Sequence, residues 1–343
     1  MTTTRIAGRL LLITGVLAML AVTIALGGSQ AKQDLAKAID YYKAANYDRA
    51  IELLTDLAKE KTLEKTDLRE IWLVLGRSYL AKSMNDKATD AISHMLDLEP
   101  PMVELDPDAE CPPLMKIYYN VRKAKNGNTQ VERKDPGMQT IAVLDFLNRS
   151  IDDKERFDPM QKGFADLVIN NLNGAVNLKV VERERIQWLL EEINMENNPE
   201  KFDQATAVRM GKLLGVHAIL LGNFIKAGNK LYLGARLVKV ETGEILMGEQ
   251  KEGDADEFYD LAKELSTAVA EKINVTLTGT SRAEAPPAET KSLDAIMSYS
   301  DGLVFLEKGD YKMAYDKFME ALDRDPSFEK ARARAESLRP VLG

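Results

Sequence analysis

Apolar and polar positions change period several times along the chain, and the changes mark its elements. An uncharged apolar run, Leu10 to Leu26, follows Arg5 and Arg9 and ends in Gly27-Gly28-Ser29-Gln30-Ala31. From there to about Ala124 the apolar residues keep a helical period, interrupted at Asn46, at Asn85 and by the proline-broken stretch Leu105–Pro113. A helix is expected at Leu114–Ala124 as a cap on what precedes it. Lys125–Gly137 is polar and reads as a linker. At Ile141–Phe146 the pattern becomes a solid apolar block, as in a strand buried on both faces, and Asn148 and Ser150 stop it. A loop at Asn148–Asp158 and a helix at Pro159–Gly174 follow. Leu178–Val181 is a second strand, running into a helix at Arg183–Asn194 whose Ile186, Leu189, Leu190 and Ile193 share one face. Gln204–Leu214 is a helix closed by Gly215. Val216–Lys226, Leu231–Val240 and Glu244–Lys251 are strands, with turns at Gly228-Asn229 and Glu241-Thr242-Gly243. A helix at Asp256–Ile273 ends this region. The order β-α-β-α-α-β-β-β-α predicts one sheet covered by helices. After a linker containing Ala285-Pro286-Pro287-Ala288, a helical period returns from Leu293 to Leu338.

The predicted organisation is a signal peptide or membrane anchor at 1–31, a helical module at 32–125 and a linker at 126–137. An α/β domain at 138–276, a Pro/Ala-rich linker at 277–291 and a second helical module at 292–343 complete it. The fold class is α+β: a central mixed sheet with flanking all-α modules.

The N-terminal pattern sets the expected location. A positive start, an apolar middle and a small-x-Ala end at Ser29 and Ala31 have the form of a secretory signal. The run is close to the ~20 residues that span a bilayer, so an uncleaved inner-membrane anchor is the alternative. Either way the charged end stays cytoplasmic and the body lies beyond the inner membrane, in the periplasm or envelope of a Gram-negative-type bacterium. No cysteine follows the apolar segment directly, so an acyl anchor is not expected. Membrane association is expected only through this segment or through partners.

Composition narrows the chemistry. The net charge is −8, and the chain beyond residue 31 is two units more negative, since Arg5 and Arg9 are the only charges before it. With no basic patch of useful size, nucleic acid is not an expected partner. The single cysteine, Cys111, excludes an intrachain disulfide and reads as an inert packed thiol. Only His94 and His217 accompany it, so no metal cluster is expected; His217 reads as structural. There is no P-loop, G-x-S-x-G, HExxH or cofactor fingerprint. No catalytic residues, cofactor or metal are therefore assigned, and the chain reads as no enzyme. Glu182-Arg183-Glu184-Arg185 is read as a charged helix start with solvated side chains.

Both helical modules carry a repeat pattern. Trp72, Leu75, Gly76 and Tyr79 complete a W-x2-L-G-x2-Y signature, followed by Ala88 and Pro100; Tyr41, Tyr47, Ala50 and Leu54 form a weaker unit before it. Gly302, Phe305, Gly309, Asp310, Tyr311, Ala314, Phe318, Ala321 and Pro326 form another, with Phe328–Leu338 as its extra helix. These units resemble tetratricopeptide repeats. That resemblance implies stacked helix pairs, with aromatics buried between neighbours and a surface that binds protein partners. A lone C-terminal unit must dock on something: the first module, the central domain or another copy.

The segments IAVLDFLNRS, ADLVINNL, VVERERIQWLLEE, LGVHAILLGNF and LVKVETGEIL, in that order, are similar to the CsgG family of curli production assembly and transport components. A similar domain is the N-terminal domain of TolB. The resemblance implies a central mixed-sheet domain and a capacity to self-associate. In the pore-forming family long hairpins inserted at two places build a barrel, and a membrane-crossing strand needs ~9–11 residues. Here Ala227–Lys230 and Glu252–Asp256 leave no room for them, and the lipid-bearing cysteine is absent. The loop after the first strand matches the one lining the family's constriction, which makes Asn148, Arg149 and Ser150 the interaction candidates. Their alternative is a strand terminus bonded to nearby backbone. The expected function is an exported, non-enzymatic envelope scaffold related to secretion machinery. Its repeats recruit other envelope proteins and its central domain self-associates. The alternative is a subunit of an outer-membrane curli-type secretion channel, disfavoured by the missing hairpins and cysteine.

Overall fold

The computed structural model describes residues 30–342 except 61–62, 101, 134, 136, 174, 196–198 and 276–288. The expected signal segment, apart from Gln30 and Ala31, and most of the Pro/Ala-rich linker lie outside the described residues. Among those described, no helix is long and apolar enough to cross a membrane. The chain divides into two compact units, with the boundary between Val103 and Glu104.

The first unit is all helical: α1 (30–43), α2 (Tyr47–Leu57), α3 (Lys65–Ala81) and α4 (Asn85–Asp97). Small residues on the inner faces (Ala38, Ala50, Ala88 and Ala91) are fully or almost fully buried and let the helices approach. Leu54, Ile71, Leu75 and Ile92 fill the space between them. The whole Trp72–Tyr79 signature lies within α3, and the Trp72 ring stacks on His94 of α4 at 4.5 Å between centroids. At the two short turns it is Ala45 and Ser83 that take positive φ (56° and 57°). Asn46 is an N-cap residue and Asn85 already helical.

The second unit begins with a connector and α5 (Pro112–Asn126), whose two prolines sit at its first positions, where their missing N–H groups cost nothing. The helix expected as a cap on the first module belongs to this unit and is fixed to α8 (Arg183–Glu192). Trp188 donates its indole N–H to Asn120 at 2.8 Å, its ring packs on Tyr119, and Lys116 pairs with Glu191 at 2.7 Å. The segment after α5 has no regular structure, yet it is strapped down. Val131 is buried and its N–H donates to Leu214 at 2.7 Å, while the Thr129 hydroxyl donates to the Leu213 carbonyl.

The sheet is mixed, as expected. It contains β1 (Gln139–Val143), β2 (Leu147–Asn148), β3 (Leu178–Val180), β4 (Ala218–Ala227), β5 (Lys230–Lys239) and β6 (Ile245–Asp254) in the order β3-β1-β4-β5-β6, with β2 also on β4. Pairing is parallel from β3 through β1 and β2 to β4, and antiparallel through β5 to β6. After the single turn α6 (Lys154–Phe157), α7 (Met160–Asn173) joins α10 (Phe258–Lys272) in covering one face over Ile141, Val143, Leu220, Phe224, Leu233 and Leu237. α9 (Gln204–Leu214) lies on the other face, capped by Asp203, which accepts from Thr206, and closed by Gly215 at φ 70° as expected.

Two expectations for the sheet change. The first strand does not run unbroken to Phe146. Leu144 still donates to Leu220 of β4, but Phe146 donates to Gln161 of α7, and pairing resumes only at Leu147. The cause is close packing: the Phe146 ring lies where a side chain at Gly222 would be, with ring atoms 2.3 Å from a Cβ built there. The third strand of the meander reaches Asp254, three residues past Lys251, and a single 3₁₀ turn leads into α10.

The C-terminal helices α11 (Leu293–Glu307), α12 (Tyr311–Arg324) and α13 (Glu329–Leu342) dock on α7 of the same unit. Gly163 makes that approach feasible, since a Cβ there would meet Ser300 Oγ at 2.1 Å. The core of these helices and that of the α/β domain are continuous through Phe164, Tyr299, Phe318 and Phe328.

Candidate functional site

The three sequence-predicted residues run from the last position of β2 into the loop, but their surroundings differ. Asn148 is 2% exposed, donating through Nδ2 to the Lys154 carbonyl at 2.9 Å and to Asp158 Oδ1 at 2.8 Å. Its Oδ1 accepts from the Ser150 N–H, and Ser150 Oγ accepts from the Lys226 N–H of β4. These two side chains stitch the loop to the sheet and are not open to a partner. Only the Arg149 side chain is exposed, its N–H being spent on Phe224. Beside it Ile151 stands 76% exposed while its backbone donates to Lys226. Arg149 and Ile151 are thus the exposed side chains at this end of the loop.

The charges read as solvated are the larger surprise. Arg183 reaches back to Asp145, in the gap between β1 and β2, at 3.4 Å, and forward to Glu307 at the end of α11 at 3.0 Å. Lys162 of α7 bonds the same two carboxylates. Glu184 takes Arg334 of α13 at 2.7 Å, and Arg334 also holds Asp108 of the connector at 2.7 Å and the Pro107 carbonyl. Lys330, one helical turn before Arg334, pairs with Asp166 of α7 at 2.7 Å, which also accepts from the Tyr299 hydroxyl at 3.0 Å. Arg185 turns the other way and caps the Thr129 and Gln130 carbonyls. Arg183, Glu184 and Arg185 are therefore a hub that joins the connector, the α/β domain and the C-terminal helices. Its two cations from α13 are deeply buried: the side chains of Lys330 and Arg334 are each 3% exposed.

The electrostatics follow from that burial. Desolvation works to raise the Asp166 carboxyl, but Lys330 and Arg334 outweigh it and hold it below the usual carboxylate range. Burial likewise pulls Lys330 and Arg334 down, and Asp108 leads the attractions that keep both charged. Glu289, at the start of the last module, meets a different balance. Burial pushes it up to about 7, the attraction of Lys330 being offset by repulsion from Asp166 and Asp108. Asn170 donates to it, and its other carboxylate oxygen is buried without a partner. His217 is structural: its Nδ1 accepts from the Thr140 N–H at 3.0 Å, and burial and Arg133 lower its pKa. Among the described residues no group of His, Cys, Asp and Glu could hold a metal ion, and Cys111 is buried and in no disulfide.

Residues 124–232 match the family model described as curli production assembly/transport component CsgG. The central domain is CsgG-like. Solved structures similar to the CsgG-like domain include TolB from Acinetobacter baumannii, at 12% identity and a TM-score of 0.28, covering 40% of this chain. The chain spans 28% of that TolB structure. The LpoB C-terminal domain from Escherichia coli is 15% identical with a TM-score of 0.27, covering 36% of this chain and 87% of that one. Lipoprotein GNA1162 from Neisseria meningitidis is 19% identical with a TM-score of 0.28, covering 40% of this chain and 99% of that one. No curated protein matches the chain.

The matched segment of the CsgG-like domain contains Asp145, Lys162, Asp166, Arg183 and Glu184, but not Glu307, Lys330 or Arg334. The junction is thus half CsgG-like domain and half C-terminal module. Sequence reasoning named Glu182–Arg185 but not its partners. A signal was present in α13, where Lys330 and Arg334 interleave with the buried Phe328, Ala331, Ala335 and Leu338. Charges that share a face with core residues are seldom solvated.

Proposed function

We propose that the chain is a non-enzymatic cell-envelope assembly protein. The CsgG-like domain is its body, the C-terminal module is a fixed extension, and the first helical unit recruits protein partners. The observation that carries this reading is how the sheet closes. β4 and β5 pair from Ala218–Lys239 to Ala227–Lys230 and are joined by Gly228 and Asn229 alone, with Gly228 at φ 56°. β6 passes into α10 through one 3₁₀ turn. At neither place does the described chain hold a further strand pair, so the CsgG-like domain serves as a soluble, helix-covered body and not as the foot of a barrel. The family match and the apolar run at Leu10–Leu26 support the envelope; the buried junction supports a scaffold, since its charges are consumed in joining modules.

Fractionation of a Gram-negative host expressing the full chain tests the location, and size-exclusion with light scattering on the chain lacking residues 1–31 tests its behaviour. The expected result is an exported protein, soluble without detergent and self-associating. Cytoplasmic recovery overturns the envelope part. Extraction only by detergent, with ion conductance in planar bilayers, replaces the scaffold with a channel subunit.

A further inference from the structure

The sheet has two edges, and they are not equivalent. β3 is three residues long, and the Lys179 side chain at its centre is held by Glu104 of the connector. β6 is ten residues long and pairs with β5 alone. Gly248, Glu249, Gln250 and Glu252 are exposed along it. Its one irregularity lies at Leu237 and Val238 of β5, so the run from Met247 to Asp254 is regular. An open edge of this length is a template for another strand unless something stops it.

The register settles which backbone groups face outward. Ala255, in step with the β5–β6 pairing, donates its N–H to Asn229 at 2.8 Å. Bonded positions alternate in an antiparallel ladder, so Met247, Glu249, Lys251 and Gly253 turn their backbone groups toward β5. Gly248, Gln250 and Glu252 turn theirs outward. Side chains alternate in the same way, which puts Glu249 and Lys251 on the face of the buried Met247. That is the α10 side, since a Cβ at Gly253 would meet Leu261. Neither Glu249 nor Lys251 is in an ion pair among the described residues.

Charges on an edge ordinarily deter pairing, because they face a strand without the matching sign. A second β6 running antiparallel does supply it. With a two-fold axis at Gln250, Glu249 of each copy lies opposite Lys251 of the other, and Gly248 lies opposite Glu252. Outward backbone groups then meet outward ones at all these even positions. An axis at Glu249 or at Lys251 keeps the backbone match but sets like charges against each other. An axis between two residues brings outward groups against groups already spent on β5. The short, occupied β3 edge is a poor substitute for the second β6, so the contact closes on itself and does not propagate.

We propose that β6 pairs antiparallel with β6 of a second copy about a two-fold axis at Gln250. The sheet then runs on across both copies, with two Glu249–Lys251 pairs on its α10 side. The pairing rests on the self-association in the proposed function and names the surface that carries it.

Sedimentation velocity on the chain expressed at full length and purified should show monomer and dimer in exchange and nothing larger. Glu249→Lys and Lys251→Glu each set like charges opposite one another twice, and each should weaken the dimer about tenfold or more. An equimolar mixture of the two reversed chains should recover it to within about threefold, because every pair is again of opposite sign. Under mild oxidation Gln250→Cys should link two copies, its Cα atoms being ~5.5 Å apart in a bonded pair. Gly248→Cys should not. A dimer unmoved by either reversal, or a mixture as weak as its components, overturns this surface and leaves the self-association standing. Linkage through Glu249→Cys or Lys251→Cys in place of Gln250→Cys overturns the register. A parent chain that stays monomeric up to about 0.1 mM overturns the self-association as well.

Discussion

Two helix pairs in this chain share one sequence grammar and use it differently. In the first unit, α3 and α4 bring the Trp72–Tyr79 signature against Ala88, and their ion pairs lie at the surface: Lys82 meets Asp48 across helices, with the Asp48 side chain 79% exposed. In the second unit, α11 and α12 bring Gly302 against Phe318, but the helix that follows them buries Lys330 and Arg334 to 3% exposure each. The repeat pattern specifies how two helices pack. What the pair does is specified by whether the flanking charges find water or carboxylates. The first unit leaves its charges at the surface, whereas the C-terminal pair has spent one flank on the CsgG-like domain.

Removing one buried partner puts this contrast under the greatest load. Asp166→Ala leaves Lys330 charged and buried without its nearest carboxylate, and the second unit should lose about 3–5 kcal/mol. Chemical denaturation followed by Trp188 emission in the Trp72→Phe background measures it. The double variant Asp166→Leu with Lys330→Met should recover most of the loss, since an apolar pair of similar volume needs no solvation. If the single variant costs under about 1 kcal/mol, the junction is hydrated and the contrast fails.

Protons offer a second lever. Glu289 holds its proton to about 7 in the folded chain and loses it near the ordinary glutamate value of 4.5 when unfolded. Between those values unfolding releases a proton, so stability falls as pH rises from about 4.5 to about 7 and is level above. Asp166 has the opposite sign: its lowered pKa gives stability above its ordinary range that is lost as pH falls through it. The second unit should therefore be most stable in mildly acid solution. Glu289→Gln should remove the decline toward pH 8, raising stability there by about 2–3 kcal/mol and leaving pH 4.5 nearly unchanged. Melting curves of both chains across this range check it, and parallel profiles would show that Glu289 is solvated.

Asp166, Lys330 and Glu289 are residues that the sequence did not link. The strands, α9 with its Gly215 cap and the β4–β5 turn were legible because each is a local pattern: period, glycine, polar stop. The interruption after Val143 was not, because it depends on Phe146 meeting Gly222 of another strand. Likewise Lys162 and Glu307 are 145 residues apart, and Arg334 and Pro107 are 227 apart. Nothing in a local window tells a solvated Glu-Arg-Glu-Arg from one whose counter-charges arrive from α13. For the loop, the residue types of Asn148 and Ser150 fitted both a contact site and a backbone-bonded terminus. Their bonds to the Lys154 carbonyl and from the Lys226 N–H come from neighbours that no local window shows.

Packing at the glycines gives a smaller effect. A Cβ at Gly302 would lie 2.4 Å from the ring of Phe318 of α12, which is itself fully buried against Tyr299 of α11. Gly302→Ala should cost about 1–3 kcal/mol through overpacking, against the gain in helix propensity that alanine brings elsewhere. Thermal melts of the variant beside the parent chain measure it. A stabilised variant would mean the α11–α12 contact has slack, and the likeness of the two helix pairs would then rest on pattern alone.

The smallest effect lies in the first unit. Lys82 and Asp48 join α3 to α2 across the surface, where water solvates both groups whether or not they meet. Holding two side chains in one geometry costs entropy that largely cancels the screened attraction, so Lys82→Ala should change stability by less than about 1 kcal/mol. Raising salt should erase even that, because the pair is accessible to counter-ions. Far-ultraviolet melts of the variant at low and high salt separate the outcomes. A loss comparable to that of Asp166→Ala would mean that the surface of the first unit is welded as tightly as the interior of the second. The helices proposed to meet partners would then have no more surface to spare than the docked C-terminal ones.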